Sequence, residues 1–285
     1  MRDRGILFIL PLLAFVAAFI IVPICGAFWN SAFQDIGYLQ TRFVGLGNYR
    51  QALSDPAFRQ SLKFTIIFIA VSVPLELALG LAFALILDLD LPFRGALRAC
   101  VLLPWAIPTA ISARVWELIY GYGYGLANAL WTGLGCGGPV NWLGTPWRAF
   151  GSLVAAEAWK TTPFVTIILL AGLSAIPRDL YSQAKVDRAN SLQIFWRITL
   201  PLLRPAMLVA LLFRTIDALR VFDVIYVLTH GGPGGSTTSL SLYAYKYFLN
   251  GDFGYGSAIS VALFLVAFAF SLAYVRLAGY CRALA

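Results

Sequence analysis

The sequence predicts an all-α, polytopic membrane protein with six transmembrane helices, and three observations carry that prediction. Hydrophobic residues fill 60% of the 285 positions and charged residues only 12%, against roughly a quarter charged in soluble domains. The apolar residues gather into six runs separated by turn-rich or charged segments. One such segment, 177–205, holds seven charges (Arg178, Asp179, Lys185, Asp187, Arg188, Arg197 and Arg204) yet keeps helical spacing. At about 2.5–3.5 kcal/mol per charge at mid-bilayer, it reads as a structured loop outside the membrane.

The elements follow in order. Arg2 and Arg4 precede an uncharged run over 5–34 that is too long for a signal-peptide core and ends in no convincing cleavage site. A retained first helix over about 6–29 is the expectation. Residues 30–62 form a polar connection with turns at Gly45-Leu46-Gly47-Asn48-Tyr49 and Asp55-Pro56. The second span, 64–87, is interrupted by Pro74 and Glu76. A short charged loop leads to the third, 99–120, whose Pro104 and Pro108 are tolerable where neighbouring helices re-satisfy the backbone. Gly and Trp dominate 121–147, as expected of an interfacial segment. The fourth span, 149–173, holds Glu157 and Lys160. The fifth, 203–228, holds Arg214, Asp217, Arg220 and Asp223 at intervals of three. After a turn cluster around His230, the sixth span, 253–275, is free of charge.

Six crossings put both termini on one side. That side carries Arg2, Arg4, Arg94, Arg98, Arg178, Lys185, Arg188, Arg197, Arg204, Arg276 and Arg282, against Arg42, Arg50, Arg59, Lys63, Arg148 and Lys246 opposite. The termini and the 177–202 loop are therefore expected in the cytoplasm, and the net charge of +8 reflects orientation and not nucleic-acid binding. The four cysteines are scattered and His230 is the only histidine, which disfavours a disulfide framework or a metal centre.

Within the charged loop, Pro177 suits a first helical turn and Asp179 its positive end. Asn190-Ser191 offers a break before a second short helix. Such a loop is either a solvated connection or a rigid handle for another protein. The run Tyr181-Ser182-Gln183-Ala184-Lys185-Val186-Asp187-Arg188-Ala189, followed by Ile198-Thr199-Leu200-Pro201, resembles the EAA loop of ATP-binding-cassette importer permeases. The copy keeps Ala184, Asp187 and Ala189. It departs at Gln183, usually Glu, at Lys185, usually Ala, and at Arg188, usually Gly, a residue that allows close backbone approach. The resemblance extends to Leu103-Pro104-Trp105-Ala106-Ile107-Pro108, to Trp159-Lys160-Thr161-Thr162-Pro163-Phe164 and to the Gly-Pro end of the fifth span. It points to the carbohydrate branch, most nearly its trehalose and maltose group.

That resemblance implies a non-catalytic half-transporter in the bacterial plasma (inner) membrane. Its partners would be a second homologous permease, an ATPase dimer, an extracytoplasmic sugar-binding protein and the lipid bilayer. A coupling helix over about 178–192 would dock on the ATPase through Gln183, Ala184, Lys185, Asp187, Arg188 and Ala189. No G-x-x-x-x-G-K-[ST] phosphate loop occurs, so ATP and Mg would belong to the partner ATPase and no cofactor to this chain. An ion-driven secondary transporter would use carboxylates such as Asp217 and Asp223 as relays, and a membrane-embedded enzyme would need a cluster of reactive groups. The sequence offers neither internal repeats for the first nor a catalytic set for the second.

Glu157, Lys160, Thr161 and Phe164 lie at i, i+3, i+4 and i+7, and Arg214, Asp217, Ala218 and Val221 repeat that spacing. Charged stripes in spans face protein or a water-filled cavity. The second stripe either neutralises itself and holds the bundle, or joins the first in lining a sugar site. Carbohydrate permeases place substrate contacts on these two helices, which favours the sugar site. Arg220 and Asp223, turned away at 100° per residue, are assigned to packing or gating.

Overall fold

The computed structural model describes residues 2–37 and 39–283. The chain ends, which the charge count places on one side, include residues 1, 284 and 285, outside the described residues. Helix α1 (Arg2–Val16) continues through a π-helical turn, Ala17–Ile21, into α2 (Val22–Ser31). The short strands β1 (Phe33–Gln34) and β2 (Arg42–Phe43) pair antiparallel. Then come α3 (Gly47–Ser54), α4 (Pro56–Asp88), α5 (Arg94–Ala106), α6 (Thr109–Ile119), α7 (Leu126–Gly133) and α8 (Pro146–Ser174). Helices α9 (Arg178–Val186) and α10 (Ser191–Ile194) make the charged loop, and a π-helical turn, Phe195–Thr199, leads into α11 (Leu200–Leu219). The chain closes with α12 (Asp223–Leu228), α13 (Leu240–Leu249) and α14 (Phe253–Ala283).

Among the described residues, four helical stretches are long and apolar enough to cross a bilayer: Ile9–Ser31, Pro56–Asp88, Pro146–Ser174 and Phe253–Arg276. They overlap the expected first, second, fourth and sixth spans. The expected third span, 99–120, is instead two helices, α5 and α6, bent by 95°. Pro108 has no N–H to offer the Pro104 carbonyl one turn back. It also pushes Ile107 into an extended conformation (φ −75°, ψ 134°). The expected fifth span, 203–228, ends at Leu219 and resumes as α12 only at Asp223. Arg204, Arg214 and Asp217 dilute the apolar run of α11.

The chain forms two compact units, Met1–Leu62 with Leu240–Val266, and Lys63–Ser239 with Ala267–Ala285. In the first, the turn-rich motif has a definite job. The Asn48 amide donates to the carbonyls of Ser31 (2.9 Å) and Phe33 (2.8 Å), so the strand entry is held by a buried side chain. Asp55 accepts from the hydroxyls of Tyr243 and Tyr255 and from the Ala57 N–H. Partial burial alone would raise this carboxyl, but those donors outweigh it and hold the pKa below the usual carboxylate value.

The second unit is built on α8, most of whose residues are buried. Val165, Leu169 and Leu173 of α8 meet Ala84 of α4 and Leu203 and Ala210 of α11. Glycines permit the approach: a Cβ on Gly80 would fall 2.5 Å from Val165, and one on Gly172 2.6 Å from Ala206. Small residues at helix contacts are the usual means of close packing where lipid supplies no hydrophobic drive.

The charged loop folds much as its sequence indicates, with one difference. Its first helix stops at Val186, short of the expected 192. The Ala189 N–H bonds the Ala184 carbonyl (2.9 Å) and the Arg188 N–H bonds the Lys185 carbonyl (3.1 Å). These are the two bonds of a Schellman cap, and Arg188 takes the left-handed φ of +56° that such a cap requires. Glycine's usual place here thus answers a backbone need as well as close approach. A capping box between Asn190 and Gln193 starts the second helix. At its near end, Arg178 grips Asp88, the last residue of α4, with two bonds of 2.9 and 3.1 Å.

Candidate functional site

Three helices of the second unit bring their charges together. The Arg214 guanidinium is 2% exposed and meets three carboxylates: Glu76 of α4 at 2.6 Å, Glu157 of α8 at 3.4 Å and Asp217 of its own helix at 2.6 Å. Asp217 is half-exposed and its other oxygen accepts from Arg220 at 3.1 Å. The fork geometry of arginine lets one buried cation serve several carboxylates. Glu76 is wholly buried. Removing one partner from such a buried pair costs about 3–5 kcal/mol, since it leaves a charge uncompensated in a low-dielectric site.

Lys160 is a separate case. Its ammonium donates to the backbone carbonyls of Pro104 (3.2 Å), Trp105 (2.8 Å) and Ile107. The break between α5 and α6 leaves these oxygens without helical partners, since the last carbonyls of any helix are orphaned. One side chain 53 to 56 residues away supplies what the missing turn cannot.

The broken segment forms a wall of a cavity of about 660 Å³. Residues 105–109 line one side, Glu157, Lys160 and Thr161 another, and Asp217, Arg220, Val221, Phe222, Asp223 and Val224 a third. A smaller cavity of about 270 Å³ lies among Trp105, Thr161, Phe164, Phe213, Arg214, Ile216, Asp217 and Arg220. The rings of Trp105 and Phe164 stack with centroids 6.0 Å apart, and Phe213 meets Phe164 edge-on.

Of the eight expected site residues, Glu157, Lys160, Thr161, Asp217 and Val221 line the larger cavity, while Phe164 and Arg214 line the smaller. Ala218 is fully buried and lines neither. Arg220 and Asp223, assigned to another face, both line the larger cavity. The helical count of 100° per residue fails there because the helix stops at Leu219. Sequence reasoning missed Glu76 and Trp105 as well. Glu76 had a signal, as a lone carboxylate inside a span; Trp105 had only its place between two prolines.

In the loop, Ala184 is buried, Ala189 is partly so, and Gln183, Lys185, Asp187 and Arg188 are exposed. Val186, Leu192 and Trp196 are exposed too, at 83%, 66% and 59%.

Residues 76–280 match the family described as "Binding-protein-dependent transport system inner membrane component". The trehalose/maltose transport system permease protein MalF of Thermococcus litoralis is 55% identical over 279 residues, covering 98% of this chain and 94% of the relative. The trehalose transport system permease protein SugA of Mycobacterium tuberculosis is 38% identical, covering 98% and 90%. A solved bacterial ABC transporter that imports the acidic polysaccharide alginate shares the fold, with a TM-score of 0.85 at 24% identity over 98% of this chain and 96% of that one.

Proposed function

The chain belongs to the family of binding-protein-dependent transport system inner membrane components, and on that premise we propose that it forms one half of the path by which a neutral disaccharide such as trehalose or maltose enters the cell. It acts as a single permease domain of six crossings in the plasma membrane, the bent α5–α6 pair and the α11–α12 pair counting as one each, with both termini cytoplasmic. A second permease completes the path, and an extracytoplasmic binding protein delivers the sugar. An ATPase dimer binds ATP and Mg and docks on the charged loop. Exposed Val186, Leu192 and Trp196, interspersed with Lys185, Asp187 and Arg188, give that loop the mixed surface of a docking site.

The observation that carries the substrate reading is the polar cavity beside the Arg214 cluster. Together with the smaller cavity, whose lining shares Trp105, Thr161, Asp217 and Arg220 with it, it joins carboxylates, an aromatic pair and backbone polar groups, the equipment for binding hydroxyls and a pyranose face. Its two cations are already engaged, Lys160 by carbonyls and Arg220 by Asp217, which leaves little to attract an anion. Glu157, Thr161, Asp217 and Asp223 supply hydrogen bonds; Phe164 with Trp105 supplies the stacking surface. Arg214 holds the carboxylates in place, Val221 lines the larger cavity, and Ala218 is buried on the helix that carries Arg214.

The test is accumulation of radiolabelled trehalose and maltose in cells with the intact gene set, compared with cells lacking this chain alone. Loss of uptake of either sugar on deletion, restored by the gene on a plasmid, is the expected result. Unchanged uptake of both excludes them as cargo.

A further inference from the structure

We propose that Lys160 is a positioning residue that holds the non-helical wall of the cavity, and that it is not a sugar ligand. A lysine ammonium has three N–H donors and no acceptor. All three are matched here by the carbonyls of Pro104, Trp105 and Ile107. A sugar hydroxyl could accept from Lys160 only if a carbonyl were released into a site with few other donors.

The need for the lysine is written in the chain. Pro108 lacks the N–H that would have bonded the Pro104 carbonyl. The extended Ile107 carries the chain out of the helix, so the carbonyls of Trp105 and Ile107 lose their helical donors as well. Non-helical backbone at membrane depth is tolerated only where protein groups or a watery cavity satisfy it. Lys160 is the protein group in question. It reaches from α8, the most enclosed helix of the unit, and is itself buried. The same backbone stretch carries Trp105, whose ring stacks on Phe164. Lys160 therefore sets both the 95° bend and the placement of the aromatic face.

This refines the reading of the cavity as the sugar path, yet its test needs no sugar. In the complete transporter, Cys25, Cys100, Cys136 and Cys281 are first replaced by alanine, and Ala106→Cys places one reporter on the exposed wall. The labelling rate of the thiol introduced at position 106 with a small maleimide is then compared with and without Lys160→Met, sugar absent throughout. The wall role predicts a rate changed by about tenfold or more, because three carbonyls lose their partner together. A direct ligand would leave this rate unaltered and change only the protection given by added sugar, an outcome that overturns the proposal.

Pro108→Ala adds a second arm. The new N–H can serve the Pro104 carbonyl once residues 105–108 turn helical, so the double variant with Lys160→Met should assemble at least as well as Lys160→Met alone, and poorer assembly counts against the wall role. Should Lys160→Met alone fail to assemble, assembly of that double variant is read instead. Recovered assembly supports the wall role, and continued failure counts against it. Failure of trehalose and maltose uptake in the deletion experiment would leave this labelling result standing, so the two readings fall separately.

Discussion

Two regions of the second unit handle charge in opposite ways. Around Arg214, charges pair with one another: the 2%-exposed guanidinium meets buried Glu76 and Glu157 and half-exposed Asp217, and one Glu76 oxygen is left without a hydrogen bond. Along the loop over 178–196, Lys185, Asp187 and Arg188 stand in the open, and apolar Val186, Leu192 and Trp196 stand with them. The first arrangement is closed and costly to disturb. The second is inexpensive to alter within this chain. A substitution in the cluster should therefore be felt as stability, and one in the loop as coupling.

The sharpest way to break this contrast is Arg214→Met. It keeps volume but leaves Glu76 and Glu157 buried without their cation, at about 3–5 kcal/mol. The expected outcome is loss of assembled transporter on size-exclusion chromatography, or a sharply lower melting temperature. Normal assembly and melting would mean the cluster is not the closed device described.

Asp187→Ala is the counterpart in the loop. The side chain is exposed, so stability of the chain should change by less than about 0.5 kcal/mol. At a docked interface, the same truncation of a charge pair can cost ~2–5 kcal/mol. Sugar moved per ATP hydrolysed should fall, with the affinity for the binding protein unchanged. Coupled transport at the parental ratio would remove Asp187 from the docking surface.

How far the sequence foretold these regions follows from where each cause sits. The loop was legible because its determinants are local: Pro177, Asp179 and the break at Asn190-Ser191 all act within a turn or two. The long apolar helices were legible for the same reason. The cluster was only half legible, since spacing paired Arg214 with Asp217 but could not reveal Glu76, 138 positions away. The 95° bend was hidden more deeply. Two prolines in a span are compatible with a mild kink, and the carbonyls freed by the larger break are met by Lys160 in another helix. Arg220 and Asp223 were misplaced because periodicity was carried past Leu219, where the helix had already ended.

Arg188→Gly tests whether the loop is as lightly constrained as the contrast claims. The residue holds φ +56°, a region costing a side-chain-bearing residue roughly 1–2 kcal/mol. Glycine removes that strain but adds about 0.5–1 kcal/mol of chain entropy to the unfolded state. The net expectation is a gain of up to about 1.5 kcal/mol, seen as a modestly higher melting temperature. Arg188→Ala, which keeps the Cβ, should show no such gain. Equal behaviour of the two variants would mean the strain has been relieved some other way.

The smallest effect is expected where the two regions are physically tied, at the Arg178–Asp88 fork. Two well-formed bonds join the start of the loop to the end of α4, the helix that carries Glu76 twelve residues earlier, about 18 Å along the axis. The Asp88 side chain is 17% exposed and that of Arg178 is 64% exposed. An open pair of this kind contributes only about 0.2–1 kcal/mol. Its hydrogen bonds to Asp88, then the charge of Asp88, raise the Arg178 pKa above an already high value. A raised folded pKa on a base gives stabilisation that is complete below the unfolded value, here far above neutrality. The contribution should accordingly be flat from neutral to mildly alkaline pH and should shrink with added salt. Arg178→Gln would then lower the melting temperature slightly at low ionic strength and hardly at all at high ionic strength. Exchanging the charges, with Asp88→Arg and Arg178→Asp together, should restore most of what either change alone removes. If the single variants instead abolish assembly as Arg214→Met is expected to, the fork belongs with the buried cluster and the division between the two regions fails.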